Sequence, residues 1–476
     1  MAIARLKFLD KSEEDLIHSE SVRCLERIGV MVKSPAVLSM LGKAGATVGS
    51  GKGIAKIPEG LVKEALKKAP KDMTLAARDQ RHDKQVPVAN YPLLATTGLA
   101  VHTIDLDTRE KRSTTNADLA NFSRIADAVD AVDICWTTVT ASDVPQEALA
   151  LESLWTAIQN NSKHIQVVPA THGAADARAQ VRLASLVVGG EENLRKRPIF
   201  SVISCSIAPL TFEKAEIEAQ AEFARWGIPV VSMSMSIGGL SSPITIAGSI
   251  ENINAENLAS NVITQMAAPG APFIYSSESA PMDMMTGVMD YNSYHLPLLS
   301  AGAAQMAQRY GLPTLVSSWG LETKDPGWQG SFGESFGTVL NTFTGSDIMS
   351  GAGSLDHAKG AALEQIVMDA YLWEDIRKYM TRFTVDKEKI ALSVIEAVGH
   401  GNSFLTHPHT VRNFKAEHPM RDNRHRSWQA TLSTGMADDA RKETRTILKA
   451  HKVPSLDKAV VKQGNELVKK YEASLR

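Results

Sequence analysis

Two tryptophans and a phenylalanine share one segment of the chain, Trp319-Gly-Leu-Glu-Thr-Lys-Asp-Pro-Gly-Trp328-Gln-Gly-Ser-Phe332. Ring faces gathered in this way attract a cation that cannot donate hydrogen bonds, at about 0.5–2 kcal/mol per contact, which is how quaternary ammonium groups are held. The competing role for each tryptophan is that of a packing anchor. Titratable groups at the other candidate positions are few. The segments Thr97-Gly98, Thr138 to Ser142, Pro169 to His172, Ser204 to Ser206, Met233 to Met235, Ser276 to Glu278 and Ser350 to Gly353 are rich in small hydroxyl residues, with Glu278 their only acid and His172 their only imidazole. Water activation calls for paired carboxylates or a metal cluster, and neither is evident. Cys205, Glu278 and His172 are the one set that would serve as zinc ligands.

The elements that must position these residues follow from a recurrence. Gly227-Ile-Pro229, Gly270-Ala-Pro272 and Gly311-Leu-Pro313 each close a helix-like stretch and open an apolar run. Glycine tolerates the left-handed cap, whereas proline cannot continue a helix and is allowed at the first residue of a strand. The glycines lie 43 and 41 residues apart, room for a strand, a loop and a returning helix, the βαβ unit of a parallel sheet. Counting outward gives eight strands, beginning near Ala95, Val132, Lys163, Ile199, Pro229, Pro272, Pro313 and Asp347. Helical segments such as QEALALESLWTAIQN and ENLASNVITQMAA separate them. The expectation is an α/β fold, a (β/α)8 TIM barrel over residues 86–370, with its chemistry at the carboxyl ends of the strands. An open doubly wound sheet would want a glycine-rich phosphate loop after its first strand, and ATTGLAVHTIDLD is not one.

With 476 residues and 43% hydrophobic content the chain can bury a large core, and a formal net charge of −2 leaves no electrostatic footprint for nucleic acid. The longest uncharged stretch, Gly227 to Ile250, is too rich in serine, glycine and proline for a membrane span. Cys24, Cys135 and Cys205 form no CxxC pair and no signal peptide opens the chain, so a cytoplasmic location is expected. Residues 1–85 are predicted to form a helical cap, from SEEDLIHSESVRCLERIG with a serine cap, SPAVLSMLGKAG and PEGLVKEALKKAP. Residues 371–476 are predicted to be a helical extension. Its basic cluster of His407, His409, Arg412, Arg424, His425 and Arg426 reads as a solvated face or a tail anchor.

The order of HSESVRCLERIGVMV, LGKAGATV, IPEGLVKEALKKAP, LAARD, YGLPTLVSSWGLETKDPGWQGSFGES and FLTHPHTVRNFKAEHPMRDNRHRSW resembles that of the trimethylamine methyltransferase superfamily over nearly the whole chain. Members that demethylate trimethylamine carry pyrrolysine after the seventh strand. The corresponding stretch here, Lys324 to Phe332, holds only ordinary residues, with Trp328 nearest the pyrrolysine position. The resemblance therefore implies a pyrrolysine-free member acting on a quaternary amine, glycine betaine first. Proline betaine, carnitine and γ-butyrobetaine are the other substrates it allows. It implies methyl transfer to the Co(I) corrinoid of a separate carrier protein, no metal bound in this chain, and a homo-oligomer. The competing classes are a zinc-dependent corrinoid methyltransferase and a non-catalytic betaine-binding module.

Demethylating a quaternary ammonium expels a neutral tertiary amine, so no general acid is required and orientation and desolvation become the main tasks. Trp319, Trp328 and Phe332 would enclose the trimethylammonium head, with Tyr275 a weaker candidate. A betaine carboxylate needs donors. His172, His357 and the main chain at Gly351 and Gly353 are the candidates, the two glycines also being where an arriving cofactor would meet backbone amides. Glu278 would pair with the cation but repel a carboxylate beside it. Asp356-His357 resembles the DxHxxG signature of corrinoid-binding domains without its intervening residue, so the cobamide is expected on the partner.

Overall fold

The structure is a computed structural model and describes residues 6–49, 51, 53–167, 172–317, 322–327, 332–380, 383–417 and 434–475, without the side chains of 332–335 and 434. Eight parallel strands close on themselves: β1 (Leu93–Thr96), β2 (Ile134–Trp136), β3 (His164–Val167), β4 (Phe200–Cys205), β5 (Val230–Ser234), β6 (Phe273–Ser277), β7 (Thr314–Ser317) and β8 (Ile348–Ala352). Each strand begins within two residues of the position expected from the sequence. After the strands come the helices α1 (Asn116–Ala128), α2 (Leu149–Asn160), α3 (Ala174–Val188), α4 (Lys214–Trp226), α5 (Ile246–Ala267), α6 (His295–Tyr310), α7 (Phe332–Phe343) and α8 (Leu363–Lys378). This is the (β/α)8 barrel.

The glycine–proline junctions work as their chemistry requires. Gly227 and Gly311 cap α4 and α6 at φ 72° and 64°, a region that a side chain disfavours. Gly270 sits at φ 84° in the turn beyond α5. Pro229, Pro272 and Pro313 stand just before β5, β6 and β7. Lacking an N–H they only accept, taking bonds from Val202 N at 3.0 Å, Val230 N at 3.0 Å and Tyr275 N at 2.9 Å.

Alternation divides each strand between two cores. Inward side chains, among them Ala95, Ile134, Trp136, Ile203, Val231, Ile274, Leu315 and Ile348, fill the barrel together with Met73, Leu75 and Val86. Those last three belong to a hairpin of Met73–Leu75 and Lys84–Val86. Outward side chains such as Phe200, Val202, Phe273 and Tyr275 pack under the helices.

The N-terminal region is not purely helical. Helices Lys11–Arg27, Pro35–Lys43 and Glu59–Lys68 are joined by strands Val30–Val32, Thr47–Val48 and Ile54–Lys56, which pair with Thr211–Phe212 from the β4–α4 loop. The first helix is capped by Asp10, whose carboxylate accepts from Glu13 N while Glu13 reaches back to Asp10 N, not by the expected serine. A carboxylate at that end also meets the positive end of the helix dipole. Among the described residues no helix is long and apolar enough to cross a membrane.

Just ahead of β3, Lys163 is 3% exposed and its ammonium donates to the carbonyls of Ala126 at 2.8 Å, Val129 at 2.8 Å and Val132 at 2.6 Å. It thereby satisfies the end of α1 and the turn into β2. Burial lowers the amine to about 8. Lys163→Met would strand three buried acceptors, so unfolding free energy is expected to fall by about 3 kcal/mol or more, measurable as an earlier urea midpoint with unchanged slope.

Candidate active site

At the carboxyl end of β6 the chain places Glu278 on the inward side, one turn of alternation beyond Ile274 and Ser276. Tyr291, 8% exposed on the loop after β6, donates its hydroxyl to Glu278 Oε1 at 3.1 Å. Burial raises the Glu278 carboxyl above its ordinary range, while the hydrogen bonds from Tyr291 and Ser317 pull it down. Burial, with Glu278 as the neighbouring charge, raises the Tyr291 phenol in turn. Two further loops lock onto this pair. Asn292 donates through its backbone, at 3.2 Å, and its side-chain amide to Glu322 of the loop after β7. From the loop after β8, His357 lays its ring 6.3 Å from that of Tyr291 at 49°, with Nδ1 3.9 Å from Glu322 Oε1.

His357 is held there by a strained backbone. Asp356, His357 and Ala358 have φ of 48°, 55° and 61°, three successive left-handed residues at about 1–2 kcal/mol each. Asp356 pins the turn, its carboxylate 2.9 Å from Lys111 Nζ and 3.3 Å from His102 Nε2, its amide donating to Thr323 O at 2.9 Å. A four-stranded sheet of Ser354–Leu355, Gly360–Ala361, His102–Ile104 and Lys111–Ser113 carries these groups.

The hydroxyl-rich strand ends have mostly structural uses. Ser206 and Ser234 donate to Glu256 of α5 at 2.5 and 2.7 Å, and Leu210 N and Asn252 Nδ2 donate to the same carboxylate at 2.8 and 3.2 Å. Ser204 donates to Gln220 of α4 at 2.6 Å. On inward positions, by contrast, Trp136 Nε1, Gln166 Nε2, Ser276 Oγ and Ser350 Oγ are buried without a partner among the described residues. Trp136 lies flat beneath Gly98, where a Cβ would come within 2.1 Å of its ring. Around the mouth, Ile207, Leu240, Ile244, Met284 and Met285 stand exposed on the loops after β4, β5 and β6.

Several expectations are corrected by this geometry. Tyr275 does not face the mouth: it is 1% exposed on the outer side of β6, its hydroxyl donating to Asn254 Oδ1 of α5 at 3.2 Å. Alternation forces this, since Tyr275 shares the parity of Phe273. Gly353 cannot offer its amide, which already donates to Asp369 Oδ2 at 2.7 Å. A Cβ there would meet Ile366 Cγ1 at 2.6 Å, so the glycine serves close packing. Gly351 lies within β8 at φ 116° beside a register shift.

His172 sits on the rim after β3, tied by its backbone amide to Asp176, with Nδ1 3.7 Å from Asp176 Oδ2. Trp319, Trp328, Arg424, His425, Arg426 and the side chain of Phe332 lie outside the described residues. His407, His409 and Arg412 lie far along the C-terminal extension, on a segment without a buried side chain. Sequence reasoning did not single out Tyr291, Glu322 or Trp136. Only the inward alternation of Ile134-Cys-Trp136 was available as a signal, and nothing local marks the other two. Among the described residues no three His, Cys, Asp or Glu side chains come together to hold a metal ion.

An eight-stranded parallel barrel with its polar machinery at the strand ends is the architecture of a TIM-barrel enzyme. The chain matches the family described as Trimethylamine methyltransferase (MTTB) over residues 1–476, and it belongs to that family of methyltransferases. It is 30% identical over 475 residues to the trimethylamine methyltransferase MttB of Desulfitobacterium hafniense, covering 97% of this chain and 93% of the relative. A glycine betaine methyltransferase from a second strain of that species is 28% identical over 417 residues, covering 87% and 86%. Among solved structures, the hydroxylamine MtmB complex aligns with a TM-score of 0.51 at 12% identity, over 93% of this chain and 89% of that one, a likeness of fold.

The buried Asp369 gives a pH test of the mouth's framework. Burial lifts its carboxyl to about 7, against the bonds from Gly353 and Gln365. A folded pKa above the unfolded 3.8 means stability that is full below about pH 4 and is lost as pH rises through about 7. Asp369→Asn keeps an acceptor for Gly353. It is expected to flatten that decline and to gain on the order of 2–4 kcal/mol relative to wild type at pH 8, read from denaturation curves at pH 5 and pH 8.

Proposed function

We propose that this enzyme removes a methyl group from a quaternary amine, glycine betaine as first choice, and delivers it to the Co(I) corrinoid of a separate carrier protein. The observation that carries the reading is Glu278: a recessed carboxylate at the mouth, with two hydroxyl donors and, among the described residues, no lysine or arginine as a hydrogen-bond partner. Such a group suits a cation that has shed its water. The similarity to a glycine betaine methyltransferase supports the same substrate class. The corrinoid, when its carrier is docked, supplies a strong nucleophile for the methyl carbon.

The chain's own residues bind, orient and exclude water. Glu278 attracts the ammonium, and Tyr291 sets the direction of that carboxylate. Trp319, Trp328 and Phe332 would complete the enclosure with ring faces. His357, its ring 6.3 Å from that of Tyr291, would be the donor for the substrate carboxylate. The apolar rim of Ile207, Leu240, Ile244, Met284 and Met285 fits a docked protein face. No proton has to move, since the departing amine is neutral.

The direct test is to mix the protein with glycine betaine and Co(I) cobalamin and to follow methylcobalamin and dimethylglycine. Both should appear in equal amounts. Binding without turnover would leave a betaine-binding module, and stoichiometric zinc in active protein would favour the zinc-dependent class.

The ionised form of Glu278 is the one that attracts the substrate, so KM should fall as pH rises through its raised pKa and climb on the acid side. Glu278→Gln should erase that dependence and raise KM by about tenfold or more, a loss of ~1.4 kcal/mol or greater. Trp319→Ala and Trp328→Ala should each raise KM with folding intact, and unchanged kinetics in both would reassign the tryptophans to packing.

A further inference from the structure

Gln365 and Asp369 are 0% and 1% exposed on α8, and their four-residue spacing puts both side chains on one face of that helix. Together they connect the end of β8 to the loop after β7. Asp369 Oδ2 accepts from Gly353 N at 2.7 Å, and Asp369 Oδ1 accepts from Gln365 Nε2 at 2.8 Å. Gln365 Oε1 in turn accepts from Gly327 N at 3.0 Å. In the sequence Gly327 immediately precedes Trp328.

The polarity of this relay runs one way. An ionised carboxylate only accepts, whereas a primary amide has one accepting and one donating end. With Gly353 N on one oxygen of Asp369, the other oxygen takes the amide nitrogen of Gln365, and that leaves the amide oxygen for Gly327. An acid on α8 thus decides that an acceptor faces the Gly327 amide. The other end of the segment 322–327 is held separately, by Glu322 on Asn292 and by Thr323 O, which accepts from Asp356 N at 2.9 Å. The segment is therefore anchored at one end to the loops after β6 and β8 and at the other to α8.

We propose that Gln365 and Asp369 are positioning residues for the substrate enclosure, acting through Gly327 to set where the aromatic run that starts at Trp328 leaves the barrel wall. The link to substrate rests on the quaternary-amine reading, whereas the tether does not.

Exchanging the two functional groups tests it. In Asp369→Asn the one remaining acceptor is taken by Gly353 N, so the new amide nitrogen faces Gln365, which turns its oxygen toward it and presents a donor to the Gly327 amide. Adding Gln365→Glu restores every pairing, because the introduced carboxylate accepts from both the amide at position 369 and Gly327 N. At pH 8, where Asp369 is ionised, deuterium exchange of the Gly327 amide, resolved by mass spectrometry, should be slow in wild type. It should be about tenfold faster in Asp369→Asn, the worth of one buried hydrogen bond, and slow again in the double variant. KM for glycine betaine should follow the same order, rising about threefold or more in the single variant and returning in the double, with kcat changed less. Since Asp369→Asn is also expected to raise global stability at that pH, faster exchange at Gly327 in a more stable protein separates the tether from folding.

Should the double variant fail to fold, Gln365→Met, which keeps the side-chain length without the acceptor, should show the same faster exchange and higher KM. Exchange at Gly327 as fast in wild type as in Asp369→Asn, or a folded double variant no slower than the single one, would overturn the tether. Unchanged KM in variants whose Gly327 exchanges faster would overturn its role in positioning. If wild type turns over no betaine, the substrate reading falls and exchange at Gly327 alone decides the tether.

Discussion

A carboxylate recessed at the end of a barrel strand must either keep its proton or be answered by positive charge, and that requirement organises the mouth of this molecule. Glu278 receives two hydroxyl donors, from Tyr291 and Ser317. Those bonds offset part of the desolvation without supplying a countercharge. Under the proposed function, the charge left unanswered among the described residues is what a substrate cation would meet. Tyr291 can donate only because the loop after β6 is clasped by Glu322 from the loop after β7 and touched by His357 from the loop after β8. The three loops therefore form one unit, and the strain in Asp356, His357 and Ala358 is borne by the ion pair of Asp356 with Lys111 and its contact with His102.

Behind β5 and β6, α5 supplies a spine of buried polar side chains. Asn252, Asn254, Glu256 and Asn257 are each at most 6% exposed, and they bond to Ser236, Tyr275, Ser206, Ser234 and the backbone of Ser276. This spine explains the serines at the strand ends. A small hydroxyl on the outward side of a strand is the group that a helix carboxylate or amide can reach across the core. The same spine hides α5 from pattern reading, because its first ten residues place polar groups on a buried face. The helix begins at Ile246, ten residues ahead of the segment its apolar spacing suggests.

Local rules written into the chain determined the eight strands, their order and their junctions. A glycine that must cap and a proline that must not donate depend only on their immediate neighbours, and the recurrence of the pair set the repeat. Family membership was equally legible, through ordered segments that need no coordinates. Only the tertiary structure decided which residues meet. Tyr275 and Glu278 are three residues apart, yet strand alternation turns one outward to Asn254 and the other inward to the mouth. Glu322 and His357 reach Tyr291 from different strands because β6, β7 and β8 pair edge to edge, which sets the loops after them side by side. Such pairing is a non-local event, joining residues some forty positions apart, and hydrogen bonds between β8 and β1 close the barrel in the same way. No spacing within one segment encodes it.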